Sequence, residues 1–190
     1  MAVIFKVIFN LCLICVHLCT GEVVTDNVVI NWSTWNNSIT FHIIAKTHGW
    51  VAIGFNDQPL MKGADIALAG LANNKGYVYD LHDPKGHMKP MPDSLQNYKL
   101  IWAQENGTHT FITLRRPYDT EDKNDRVITD KPINLLWAFN EKDANSDKDF
   151  SYHGPNNRGT QSVVLLKPEV ELKFLSHLMQ GGMGEHPKTQ

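Results

Sequence analysis

Two side chains in the stretch 49–70, GWVAIGFNDQPLMKGADIALAG, are suited to holding a ligand: the thioether of Met61 and the carboxylate of Asp65. A carboxylate at that place can equally satisfy backbone donors at a bulge. Elsewhere the chemistry is thinner. His82, His87, Met88 and Met91 crowd a segment carrying three prolines, Pro84, Pro90 and Pro92, but their spacing fits no zinc signature and suggests an irregular, solvated loop. Asp122, Asp125 and Asp130 lack the glycine and the closing glutamate of an EF-hand loop. Arg116, Asp119 and Arg158 read as structural, through ion pairs or backbone hydrogen bonds that fix loop ends. The sequence has no Gly-x-Ser-x-Gly, P-loop or dinucleotide fingerprint, so no motif supplies a catalytic residue.

The elements that must position Met61 and Asp65 are short and β-type. Val51, Ala52, Ile53 and Phe55 form a nearly continuous apolar run between Gly49 and Gly54, the mark of a strand buried on both faces. Asn56, Asp57, Gln58 and Pro59 reverse the chain, and Ile66, Leu68 and Leu71 resume the pattern. Similar runs predict nine strands, over 27–32, 39–45, 50–55, 65–71, 77–81, 98–102, 109–114, 133–139 and 161–166. Asn and Gly mark hairpin turns at 73–76 and 105–108. This all-β count implies a two-sheet sandwich. A short amphipathic helix is expected over 169–180, followed by a disordered end.

The chain has 190 residues, 42% apolar and 20% charged, which suits one globular domain. Residues 1–21 read as a secretory signal: one charge at Lys6, an apolar run too short to span a bilayer comfortably, and the exit Cys19-Thr20-Gly21. All three cysteines, Cys12, Cys15 and Cys19, lie in it, so Cys12-x-x-Cys15 carries no redox or zinc chemistry and the mature chain has no thiol. Without Lys6, 17 basic residues face 20 acidic ones, 17 − 20 = −3, a balance with no electrostatic case for nucleic acid or anionic membranes. In a secreted chain the sequons at Asn31, Asn36 and Asn106 become glycan candidates, Asn106 foremost because it sits on a hairpin turn.

Several motifs in one order carry a resemblance: Gly49-Trp50-Val51-Ala52-Ile53-Gly54-Phe55, Met61, Gly63-Ala64-Asp65-Ile66, Tyr79-Asp80, Arg116, Asp119-Thr120, Trp137-Ala138, Tyr152-His153-Gly154 and Asn157-Arg158-Gly159. Together they resemble a DOMON domain, in particular the N-terminal one of the dopamine β-hydroxylase-like monooxygenases. The resemblance covers roughly 26–169. It implies an immunoglobulin-like β-sandwich over 26–167, with the signal before it and a tail over 168–190.

The haem-binding branch of that family implies Met61 and His153 as axial ligands of b-type haem, an iron with no open site, suited to electron transfer. The hydroxylase branch implies a cation site, Ca2+ being one such ion, at Asp65, the Ile66 and Leu81 carbonyls and Asn97; Asn97 brings oxygen without charge, so weak binding is expected. The family's copper domains would follow this one, and no His-x-His pair is available for copper. Where the family has Thr-Cys-Asp this chain reads Thr120-Glu121-Asp122, removing a thiol expected to bridge to a later domain and favouring a free-standing protein. The expectation is therefore a secreted, glycosylated module that binds an extracellular ligand or protein without catalysis of its own. The alternative is an extracellular haem electron-transfer domain, and a copper monooxygenase stands behind both.

Overall fold

Alternation fixes the strands. In SITFHIIA, Ile39, Phe41, Ile43 and Ala45 are buried while the residues between them are partly wet, as a strand with one face on a core requires. The computed structural model describes residues 21–86 and 89–166, and among these there is no helix. Eleven strands follow in order: β1 (Gly21–Val24), β2 (Val28–Trp35), β3 (Ser38–Ala45), β4 (Val51–Asn56), β5 (Asp65–Ala72), β6 (Lys75–His82), β7 (Met91–Pro92), β8 (Lys99–Glu105), β9 (Thr110–Pro117), β10 (Pro132–Phe139) and β11 (Arg158–Val164). They form two antiparallel sheets, β1-β2-β3-β9-β8 and β11-β10-β4-β5-β6-β7. The expected two-sheet β-sandwich is the observed fold.

Between the sheets lies one apolar core. Ile30, Ile39, Phe41, Ile43, Ile112 and Leu114 from the first sheet meet Val51, Ile53, Phe55, Ala67, Ala69 and Leu135 from the second. Phe41 and Phe55 join the layers with ring centroids 5.3 Å apart. β4 is buried along its whole length because its alternate residues serve two environments. Val51, Ile53 and Phe55 face the inter-sheet core, while Ala52 belongs with Trp50, Ile66, Leu68 and Leu81 to a second cluster on the outer face of the six-stranded sheet.

Two strands escape a reading by period. β1 is four residues long, too short to show alternation, and is held by pairing with β2 and by Gly21 lying against the Trp32 ring, where a Cβ would come within 2.2 Å. β7 lies in the segment expected to be an irregular loop; its two residues pair with Leu81 and His82, and Pro92 is tolerated because this is the sheet edge. Of the histidine and methionine cluster expected there, His87 and Met88 lie outside the described residues. His82 Nδ1 lies 2.7 Å from an Asp93 carboxylate oxygen, and Met91 is exposed.

The expected turn at 73–76 is tighter than its range. Asn73 and Asn74 take positive φ, 52° and 61°, and Lys75 and Gly76 already belong to β6. Asn36 and Asn37 make an equivalent turn between β2 and β3. The signal through residue 20, the helix expected over 169–180 and the whole of the tail over 168–190 lie outside the described residues.

Candidate functional site

The outer face of the six-stranded sheet is built in rows by the strand register. One row runs Arg158, Ala138, Ala52, Leu68, Tyr79, and the next Thr160, Leu136, Gly54, Ile66, Leu81. Directly opposed residues share a face, so the middle of this surface carries three small residues, Ala138, Ala52 and Gly54, beside Leu136. The hollow is a consequence of those small residues. A Cβ at Gly54 would press on the Asp65 carbonyl at 3.2 Å and the Ile66 side chain at 3.3 Å.

Three segments close the hollow into a cavity of about 790 Å³: the turn after β4, the strap after β6, and the loop between β10 and β11. Its walls are apolar, with Trp50, Ile66, Leu68, Leu81 and Phe150 prominent. Trp50 and Phe150 meet edge to face at 6.1 Å. Met61 and His153, which the resemblance pairs as axial ligands, both line this one cavity, Met61 from the first segment and His153 from the third. The turn holding Met61 is braced: Asn56 Nδ2 donates to the Leu60 carbonyl at 2.6 Å and to the Lys62 carbonyl at 2.8 Å.

His153 is arranged as a neutral imidazole with one nitrogen committed. Its Nδ1 donates to the Gly154 carbonyl, which leaves Nε2 with its lone pair. Burial holds its pKa below the usual imidazole range, and the nearby Arg158 charge acts in the same sense. Lys62, Lys89 and Arg158 also line the cavity, and among the described residues no carboxylate does. Arg158 thus takes neither structural role expected of it: it makes no ion pair or hydrogen bond among the described residues. Trp50, quoted only as part of a strand motif, is likewise a cavity residue.

The residues present fit a b-type haem on three counts. The cavity lies within the roughly 300–1,000 Å³ of small-molecule sites, its donor pair is one thioether and one neutral imidazole, and its charged rim is cationic.

A second centre lies at one end of the inter-sheet core, where β5 turns Asp65 inward and Ile66 outward. Asp65 is fully buried and both its oxygens are engaged: one accepts from the Tyr98 hydroxyl at 3.1 Å, the other from the Arg126 backbone N–H at 2.9 Å and from the buried Arg116 guanidinium. Arg116 also donates to the Arg126 carbonyl at 3.0 Å, the structural role expected of it. Asp119, similarly, accepts from the Glu121 backbone N–H at 2.9 Å, where Glu121 takes φ 59°.

Of the four residues the resemblance gives for a cation, Asp65 and Asn97 are brought to this centre; Ile66 and Leu81, which the resemblance assigns through their backbone carbonyls, turn their side chains to the cavity on the other face. Asp65 has its donors already. At this centre the oxygens without hydrogen-bond partners among the described residues are those of Asn97, which the resemblance gives, and of Asp80 and Asp125, which it does not. Asp65, Asp80 and Asp125 each place a carboxylate oxygen within 4.8 Å of the others. One Asp80 oxygen accepts from the Asn97 backbone N–H at 2.8 Å. Its other oxygen, both Asp125 oxygens and the Asn97 side-chain oxygen are buried and make no hydrogen bond of good geometry among the described residues, although the Thr120 hydroxyl lies near enough to Asp125 to act on its pKa.

Arg116 Nη2 stands 3.7 Å from Asp125, beyond hydrogen-bond reach. Burial and the neighbouring carboxylates push Asp80 up to about 8, and burial, with Asp65 beside it, pushes Asp125 up to about 6. Four such oxygens around two carboxylates, with Asp65 already balanced by Arg116, are of the type a hard divalent cation takes.

The sequons sit on the first sheet. Asn106 and Asn36 are exposed on turns, and Asn31 lies within β2 opposite His42.

The DOMON domain family matches residues 24–140. DBH-like monooxygenase protein 1 of Homo sapiens is 36% identical over 140 residues, 74% of this chain and 22% of that protein. Dopamine beta-hydroxylase of Bos taurus is 29% identical over 144 residues, 72% of this chain and 23% of that protein. The chain therefore spans less than a quarter of the length of these relatives.

Among solved structures, the cytochrome b domain of pyranose dehydrogenase from Coprinopsis cinerea superposes with a TM-score of 0.59 at 10% identity, covering 80% of this chain and 84% of that one. The cytochrome domain of Myriococcum thermophilum cellobiose dehydrogenase does so with 0.59 at 11%, covering 82% and 88%. At such identities the likeness is one of fold. With more than half of its residues matched, on the strands that carry both centres, the chain belongs to the DOMON domain family.

Proposed function

We propose that this domain is a binding module without catalysis of its own and that its ligand is a b-type haem held in the outer cavity between Met61 and His153. The observation that carries the reading is that two residues far apart in sequence, of the two types suited to a six-coordinate electron-transfer haem, line a single apolar cavity of about 790 Å³. The cytochrome domains sharing the fold lend it support. When bound, the group supplies one-electron transfer. Asn56 fixes the Met61 turn, the Gly154 carbonyl fixes the imidazole tautomer, the apolar walls exclude water, and Lys62, Lys89 and Arg158 offer countercharge to carboxylates.

Further proposals come with the leader and the sequons: the domain is exported and carries a glycan at Asn106, whose turn is exposed. One preparation tests these together. Protein from the medium of haem-supplied cells is expected to start near Glu22, to lose one glycan's mass in Asn106→Gln, and to show a Soret band. That band should change in Met61→Ala and again in His153→Ala, since losing either ligand opens a coordination position. It should not hydroxylate phenethylamines with copper and ascorbate. A colourless protein from haem-replete cells, or a haem indifferent to both substitutions, overturns the cofactor reading; copper-dependent turnover overturns the non-catalytic one.

A second reading rests on the orphaned oxygens of Asp80, Asp125 and Asn97. These residues, more than Asp65, hold a divalent cation that braces the end of the sandwich. Millimolar Ca2+ at pH 8 is expected to raise the Tm by several degrees in the parent and by much less in Asp125→Asn. An equal response from both, or none, discards this site.

A further inference from the structure

Trp35 is 83% exposed, more than any other large apolar side chain among the described residues. A single exposed ring needs no explanation by itself; the turn that follows gives this one a role. Trp35 and Ser38 stand directly opposite each other on β2 and β3, and the two residues between them, Asn36 and Asn37, both take positive φ, 47° and 59°. That is the two-residue type I′ connection. Asn36-Asn37-Ser38 is also a sequon, with Asn36 exposed.

The turn decides where the acceptor amide points. Along a strand, at φ of about −140°, successive side chains leave opposite faces. The φ of 47° at Asn36 lies roughly half a turn from that value, which swings its Cβ across the preceding peptide plane to the side that the Trp35 Cβ already occupies. Ring and amide therefore leave the chain side by side. Alternation along β2 makes that side the outer face of the five-stranded sheet, since Val28, Ile30 and Trp32 point into the core. Among the described residues neither the Trp35 ring nor the Asn36 amide has a hydrogen-bond or ring partner.

We infer that Asn36 is an N-glycosylation site whose first sugar is a structural part of the fold: its N-acetylglucosamine lays the C–H face of the pyranose on the Trp35 indole. This rests on the export reading above, because only an exported chain meets the transferring enzyme. In that transfer a bond forms between Asn36 Nδ2 and the anomeric carbon of a lipid-linked oligosaccharide, the bond from that carbon to the lipid pyrophosphate breaks, and the amide gives up one proton. The sugar face carries the positive ends of C–H bonds and the indole face is electron-rich, so contact removes apolar area of both from water. Attachment at the next residue makes the contact intramolecular. The other sequons offer no such ring. Asn106 follows Glu105, and its side-chain oxygen accepts from the Thr108 and His109 backbone N–H groups, each at 2.9 Å. Asn31 follows Ile30, which is in the core.

The experiment is a double-mutant cycle on protein secreted from eukaryotic cells and trimmed by endoglycosidase to one N-acetylglucosamine per site. Ser38→Ala removes the sequon and leaves both turn residues in place; Trp35→Thr removes the ring and keeps a strand former. Peptide mass spectrometry is expected to find the sugar on Asn36. Ser38→Ala should lower the Tm by about 2–4 °C when Trp35 is present and leave it unchanged in Trp35→Thr. The same variants made without glycans in bacteria correct for the substitutions themselves, and there Trp35→Thr should leave the Tm unchanged, whereas a ring needed for packing within the protein would lower it. A chain that stays inside the cell overturns the export reading and this inference with it. If the chain is exported but Asn36 is bare, or its sugar raises the Tm equally with and without Trp35, the export reading stands and this inference falls.

Discussion

At Asp80 the sequence shows one more polar residue at the end of a strand, and the fold makes it a buried acid. Its pKa, near 8 in the folded protein, is raised by burial first and then by Asp125 and Asp65. An acid raised above its unfolded value near 3.8 is bound by its proton more tightly when folded. The unfolded state then carries fewer protons, so this group's contribution to stability falls as pH rises between those two values. In cation-free buffer the Tm should therefore decline from about pH 4 to about pH 8 more steeply in the parent than in Asp80→Asn, which cannot titrate. Differential scanning calorimetry at several pH values checks this, and identical slopes would mean that Asp80 is ionised throughout. Asp125, raised to about 6, acts in the same direction over a narrower range.

At the scale of the element, β4 is where one sequence serves two purposes. Its odd positions, Val51, Ile53 and Phe55, build the inter-sheet core, and its even positions, Ala52 and Gly54, leave the outer hollow. The two faces should respond differently to substitution. Phe55→Ala removes a fully buried ring in contact with Phe41 and is expected to destabilise the fold by about 3–5 kcal/mol. Ala52→Val adds bulk on the side of the cavity and is expected to cost much less stability. Urea denaturation of the two variants reads the difference, and a comparable loss from both would show that the outer face is packed as tightly as the core. The buried run was legible in the sequence. The division of labour along it was not, because a strand covered on both faces loses the alternation that tells the faces apart.

For the whole molecule, the sequence by itself determined the class: short apolar runs with period-2 patterning and Asn and Gly turns can only pack as sheets, and two sheets are observed. It also determined the chemical vocabulary, a thioether, an imidazole and several carboxylates, while the pairing of Met61 with His153 came only as what the family resemblance implies. The tertiary structure decided what each could do. The strand register, which no local pattern specifies, set small residues in the middle of the outer face and so made a cavity between Met61 and His153. The same register sent Asp65 inward to Arg116 and Tyr98. It left Asp80 and Asp125, from parts of the chain with no sequence relation to each other, with buried oxygens that lack a hydrogen-bond partner of good geometry among the described residues. Burial and partnership are properties of the assembled molecule, and they turned a polar residue of β6 into an acid near pH 8 and a tryptophan of a strand motif into a buried donor without an acceptor among the described residues.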